Sequence, residues 1–171
     1  MADQGSPTEA DRARDRDELR AFVYELRDLL STIVEDSRFI PEDRGHDVRQ
    51  AWERIQNRFS ELIAGLDTLA TAQDPRWAEL DNHGLTGDEL RLKRRGFVGR
   101  MFAWGRRINR GWVRSVLRWA DTLLGSLAAV FPPAGAIKEF KESLENLIED
   151  SMADARRGGR RSRKRLRNTG A

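Results

Sequence analysis

Cysteine is absent from the 171-residue chain, and histidine occurs only at His46 and His83. A chain without cysteine has no disulfide bond, no thiolate zinc site and no cysteine nucleophile. Asp81 lies close to His83 in the sequence, but a zinc site needs at least three protein ligands. The sequence therefore predicts neither a bound metal nor a cofactor.

Catalytic motifs are lacking as well. The chain contains no GxSxG sequence, the turn that exposes a nucleophilic serine in many hydrolases. The GLTG segment at residues 84–87 lacks the lysine that a phosphate-binding loop requires. Carboxylates are numerous, but they occur on helix faces that we expect to be solvated. We therefore predict no catalytic residue, no enzymatic activity and no small-molecule substrate.

Long hydrophobic runs are missing too. The longest uncharged stretch, residues 122–137, includes Pro132 and Pro133 and is shorter than the roughly 20 residues that span a bilayer. Residues 1–19 lack the basic start and apolar stretch of a secretory signal. We expect a cytoplasmic protein, with peripheral attachment to a membrane as a variant of that location.

Helical periodicity is the main positive signal. Apolar residues recur every three or four positions along most of the chain, which places them on one face of a helix. The pattern predicts an all-α fold: four amphipathic helices in a mainly antiparallel bundle over residues 12–155. The predicted helices cover about 14–38, 43–72, 87–131 and 134–155.

Local signals refine this arrangement. Thr86 is predicted to cap the third helix together with Glu89, and Leu85 to pack on Leu90. That helix is unusually long and glycine-rich, so we expect a kink near Gly96. Residues 73–85 have the composition of a connection. Residues 1–11 are predicted to be a disordered lead, and residues 156–171 a disordered basic tail with too few apolar side chains to fold.

Charge is distributed very unevenly. Residues 1–90 hold 11 basic and 21 acidic side chains, whereas residues 91–118 hold 10 basic and no acidic ones. Residues 119–155 hold 2 basic and 7 acidic side chains, and residues 156–171 hold 8 basic and none acidic. Two cationic segments therefore belong to an otherwise acidic chain. We expect the segment 91–118 to contact the acidic first two helices at rest and to be released when a partner binds.

The segment 93–131 combines these cations with aromatic residues on a wide apolar face. The interfacial aromatic residues would be Phe97, Phe102, Trp104, Trp112 and Trp119. The cations predicted to bind an anionic partner are Lys93, Arg94, Arg95, Arg100, Arg106, Arg107, Arg110, Arg114 and Arg118, together with Arg160, Arg161, Arg163, Lys164 and Arg165 of the tail.

Several functions fit this pattern. A basic helix with tryptophan on its apolar face is typical of helices that lie in a membrane interface, and an anionic lipid surface is the favoured partner. Nucleic acid is the alternative, with arginine on phosphate and the tail extending the contact. A third hypothesis is a scaffold that binds a protein partner or forms a homo-oligomer through the aromatic face. The segment can also be an ordinary core helix with a basic outer side, and charge alone would then have to explain binding.

Overall fold

The structure, a computed structural model, describes residues 5–104 and 109–168, with the side chains of residues 5–101 and 109–157. All regular secondary structure in these ranges is helical, which confirms the all-α class. There are six α-helices where four were predicted. They are α1 (Glu9–Glu35), α2 (Gly45–Asp67), α3 (Arg76–Asn82), α4 (Gly87–Trp104), α5 (Arg110–Ala128) and α6 (Pro132–Asn168), and one 3-10 turn, Glu42–Arg44, precedes α2.

The single helix predicted over 87–131 is wrong, because this segment forms α4 and α5. Helix α5 has its own start at Asn109, whose side chain accepts a hydrogen bond from the backbone N–H of Trp112 at 3.0 Å. Asparagine is among the most favourable N-cap residues. The helix is not interrupted at Gly96, where the kink was expected: Gly96 lies inside α4, and a Cβ there would be 3.5 Å from the Trp119 ring.

The predicted connection 73–85 contains the short helix α3. The helix ends at Asn82, and the chain turns at Gly84, where a φ of 65° suits glycine; the N–H of Leu85 donates to the Leu80 carbonyl at 3.0 Å. Thr86 does not close the predicted capping box with Glu89. Its hydroxyl donates to Asp81 at 2.6 Å instead, because α3 brings that carboxylate within reach.

Both ends of the chain are more helical than predicted. Helix α1 begins at Glu9, inside the predicted lead, because Thr8 and Asp11 form a reciprocal capping box. Helix α6 continues to Asn168, so residues 156–168, predicted as a disordered tail, have a helical backbone. Arginine and lysine favour helix nearly as well as leucine, and the hydrophobic pattern alone does not reveal this.

Four helices close a ring in the order α1, α2, α6, α5, with α5 in contact with α1. Successive members run in opposite directions. Arg20, in the first half of α1, pairs with Asp67 at the end of α2 at 3.1 Å. Gly65, also near the end of α2, packs on Phe131 just before α6. Lys141 of α6 lies 3.1 Å from Asp121 of α5, so these helices form a hairpin.

The core occupies the centre of this ring. It consists of side chains at most 9% exposed, contributed by all six helices, and examples are Leu26, Phe59, Val116 and Leu144. Trp52 of α2 packs on Phe140 of α6 with ring centroids 5.6 Å apart. The stripe predicted for the second helix is therefore part of the core.

Helix α4 packs against α1 and α5, outside the four-helix ring. Phe97 is its main anchor: it is 1% exposed, stacks on Phe22 at 5.1 Å and meets Trp119 edge-on at 6.1 Å. The N–H of Gly87, at the start of α4, donates to Asp15 near the start of α1. These contacts run in the same order along both helices, so α4 is parallel to α1 and antiparallel to α5.

Candidate functional site

Five of the predicted cations form an exposed surface on α4 and α5, which we call the arginine strip. Trp112, Val113, Val116 and Leu117 bury one side of α5, and arginine occurs every fourth residue on its other side, facing solvent. The strip consists of Arg95 and Arg100 of α4 and Arg110, Arg114 and Arg118 of α5.

The α4–α5 contact sets the levels of these arginines along the two helices. The close approach of Gly96 to the Trp119 ring sets Arg95 level with Arg118 across the α4–α5 contact. Because α4 and α5 are antiparallel, the same register brings Arg100 level with Arg114. At about 1.5 Å of rise per residue, the row from Arg110 to Arg118 is about 12 Å long.

No carboxylate neutralises the strip within the described parts of the chain. In those parts, α4 forms ion pairs through Arg91, which meets Asp88, and through Arg94, which meets two carboxylates of α1. The ion pair of α5 is made by Asp121. Neighbouring cations without partners raise the local potential and attract anions. The strip is therefore suited to an extended anionic ligand.

Arg94 is placed differently from its neighbours. It donates from Nη1 to Glu18 at 2.7 Å, and from Nη2 and Nε to Glu25 at 2.8 and 3.2 Å. The three side chains are half-buried, with 29%, 26% and 31% exposed. The hydrogen bond to Glu25, followed by that to Glu18, raises the pKa of Arg94 above its ordinary value. The basic segment was predicted to contact the first two helices, and this ion pair confirms the contact with the first. Among the described residues, Arg94 alone of that segment pairs with a carboxylate of α1, and none pairs with one of α2.

Lys93 is also used inside the fold. Its ammonium group donates to the carbonyl oxygens of His83 and Gly84, both at 3.1 Å. Cations near the last carbonyls of a helix stabilise that end. Lys93 therefore stabilises the C-terminal end of α3 and is not part of the arginine strip.

Three of the five predicted aromatic residues have described side chains, and these three lie in the core or pack against it. Phe97 and Trp112 are 1% and 4% exposed, and Trp119 is half-buried against Phe97. The side chains of Phe102 and Trp104 lie outside the described set, as do Arg106 and Arg107. The tail residues have backbone positions in α6, but their side chains are not among those described; they are Arg160, Arg161, Arg163, Lys164 and Arg165.

A buried polar network, which was not predicted from the sequence, joins the starts of α1 and α4 to α3. Arg12 is 7% exposed and donates to both oxygens of Asp81 at 2.8 Å, with its guanidinium 4.8 Å from the Trp77 ring. The hydrogen bond from Arg12 lowers the pKa of Asp81. Asp15 accepts the N–H of Gly87 at 2.9 Å, and burial raises its pKa. The network thus positions α4 on α1.

A groove of about 430 Å³ follows the α1–α4 contact beside the arginine strip. Glu18, Arg91, Arg94 and Arg95 line its polar part, and Val98 and Gly99 its other end. Among the described residues, no three carboxylates, histidines or cysteines are close enough to hold a metal ion. No described helix is long and apolar enough to cross a bilayer.

Two features of this region were not predicted from the sequence. Glu18 and Glu25 lie seven residues apart on α1, a spacing that places them on one face, but their partner could not be named. Leu92 was not singled out, yet its side chain is 66% exposed, the one large hydrophobic residue so exposed among those described. No family model matches the chain, and no curated protein or solved structure shows significant similarity to it.

Proposed function

We propose that this protein is a non-enzymatic helical module that binds a polyanionic partner, foremost nucleic acid, through the arginine strip. The observation that supports the proposal is the row of five exposed guanidinium groups without carboxylate partners among the described residues. Contacts of this kind are made to phosphate and do not read sequence. We therefore propose binding without sequence specificity.

Burial of the aromatic residues favours nucleic acid over the membrane. The membrane hypothesis relied on an aromatic face inserted at the headgroup level. Phe97 and Trp112 are enclosed by the chain's own helices, and to insert they would have to leave the core. Phosphate contact by exposed arginine requires no such opening. The scaffold hypothesis loses support for the same reason, because it needs this aromatic face between subunits.

The salt dependence of binding gives the strip a measurable signature. Each phosphate neutralised on duplex DNA contributes about −0.9 to the slope of log K against log salt concentration. Five arginines therefore predict a contribution of about −4.5. Between 50 and 200 mM salt, this alone lowers affinity roughly 500-fold. The basic residues 156–171 would add a separate contribution, which truncation removes.

The experiment measures fluorescence anisotropy of a labelled 20-base-pair DNA duplex of arbitrary sequence across a salt series. Replacing Arg110, Arg114 and Arg118 by glutamine should make the slope shallower by about 2.7. The matched control replaces Arg14, Arg44 and Arg54, which are equally exposed on other faces, and should change the slope by less than 1. Equal effects of the two triple variants would show that only net charge matters and would reject the strip as the binding surface.

An anionic membrane surface is the second candidate, and Leu92 is the observation that favours it. This exposed leucine lies one helical turn before Arg95 on α4, so a lipid surface could receive both an apolar and a cationic side chain. Flotation with vesicles of anionic or neutral lipid tests this candidate. Leu92→Gln should weaken vesicle binding several-fold while binding of the duplex is unchanged. If the variant binds vesicles as the native chain does, contact with lipid is purely electrostatic.

A further inference from the structure

We infer that Glu18 and Glu25 act as a built-in competitor that withholds Arg94 from the polyanion and restricts binding to densely charged partners. The inference rests on the proposed function, because it concerns the cation at the edge of the same surface. It assigns to two acidic residues of α1 a role in selecting the ligand.

Arg94 adjoins the arginine strip, but its guanidinium group is directed at the carboxylates of α1. It lines the same groove as Arg95, so a phosphate held by Arg95 lies beside a guanidinium that is already occupied. All three hydrogen bonds from Arg94 end on carboxylate oxygens, at 2.7 to 3.2 Å. Two carboxylates therefore take the positions that phosphate oxygens would occupy.

Competition within the chain favours the carboxylates over a small anion. The side chains of Glu18 and Glu25 are already positioned by α1, so the ion pairs form without the entropy loss of capturing a free ligand. An isolated phosphate loses that entropy when it binds, and it must also displace two carboxylates. A polyanion held by the strip raises the local phosphate concentration. Even so, the polyanion must displace two carboxylates that α1 already positions, so Arg94 stays paired with Glu18 and Glu25 and the arginine strip makes the phosphate contacts.

The test removes the competitor and measures the salt slope again with the same DNA duplex. The double variant Glu18→Gln with Glu25→Gln should add one phosphate contact, making the slope steeper by about 0.9 and tightening binding up to about eightfold at 0.1 M salt. Adding Arg94→Gln to this variant should return the slope to the native value. Arg94→Gln in the native chain should leave the slope unchanged.

A matched control separates this effect from the loss of two negative charges. Asp17 and Asp28 also lie on α1, are 73% and 71% exposed, and form ion pairs with the adjacent Arg16 and Arg27. Asp17→Asn with Asp28→Asn changes net charge equally and should leave the slope unchanged. Circular dichroism and melting curves establish that each variant is folded before binding is compared.

Selectivity provides the second readout. Inorganic phosphate alone, titrated by calorimetry, should bind the Glu18→Gln, Glu25→Gln variant more tightly than the native chain, because Arg94 is then available to a small anion. Equal slopes for this variant and the Asp17, Asp28 control would overturn the inference while the proposed function stands. Absence of salt-dependent binding by the native chain would reject the proposed function itself.

Discussion

Replacing Phe97 by alanine should detach α4 from the bundle and cost a large part of the stability. Phe97 is 1% exposed, stacks on Phe22 and meets Trp119 edge-on. Truncating a buried phenylalanine to alanine costs about 3 to 5 kcal/mol, and the two aromatic contacts place this residue in the upper part of that range. For a domain of this size the melting temperature should fall by about 8 to 20 °C.

The assay is urea unfolding followed by circular dichroism and tryptophan fluorescence, with Leu92→Ala as the control. Both variants replace an apolar residue of α4 by alanine, but Leu92 is 66% exposed and should change the unfolding free energy by no more than about 0.5 kcal/mol. Phe97→Leu, which keeps much of the volume, should cost less than Phe97→Ala. If Phe97→Ala and Leu92→Ala agree within 1 kcal/mol, Phe97 does not hold α4 on the bundle.

Three further predictions concern the buried network and the tail. Arg12 lowers the pKa of Asp81, so ionised Asp81 stabilises the fold above its ordinary pKa of about 4. Asp81→Asn should therefore lower the melting temperature at pH 7. The difference in melting temperature between this variant and the native chain should disappear as the pH falls through the lowered pKa. Burial raises the pKa of Asp15, so ionised Asp15 opposes folding above about pH 4, and Asp15→Asn, which can still accept from Gly87, should preserve or raise the melting temperature at pH 7. Calorimetry across a pH series measures both changes in melting temperature. A rise for Asp81→Asn or a fall for Asp15→Asn at pH 7 would contradict the causes assigned to the two pKa shifts. Deleting residues 156–171 should leave the melting temperature nearly unchanged, because residues 153–157 are already exposed; a loss above about 1 kcal/mol would mean that the tail docks on the bundle.

Hydrophobic periodicity was sufficient for the helices that bury one continuous face. The second helix was predicted over 43–72 and is found at Gly45–Asp67, with Trp52 and Phe59 buried as its stripe requires. Periodicity failed between α4 and α5 because the apolar spacing continues through both helices. Asn109 was the available signal, since a favourable N-cap residue can start a new helix inside a periodic segment.

The candidate site was predictable in composition but not in detail. Counting charges identified the basic segment and its attraction to the acidic first helix. Which cations stay exposed depends on register between helices distant in the chain: Arg94 meets Glu18 and Glu25, whereas Arg95 projects into solvent. Burial of Phe97 and Trp112 could not be decided from the sequence, because an apolar stripe has the same pattern whether lipid or another helix covers it.

Helices that are neighbours in the ring are not always neighbours in the chain. This difference determines the order in which the contacts form during folding. The α1–α2 and α5–α6 hairpins join neighbours in the chain, and such local contacts form quickly. The α2–α6 and α1–α5 contacts must wait until the whole α3–α4 segment has been looped out, which delays them by the entropy of closure. Trp52 meets Phe140 only across that late interface, so its fluorescence should change after most of the helical signal has appeared. Lengthening the segment between α2 and α5 should slow this step while leaving both hairpins to form at their original rates.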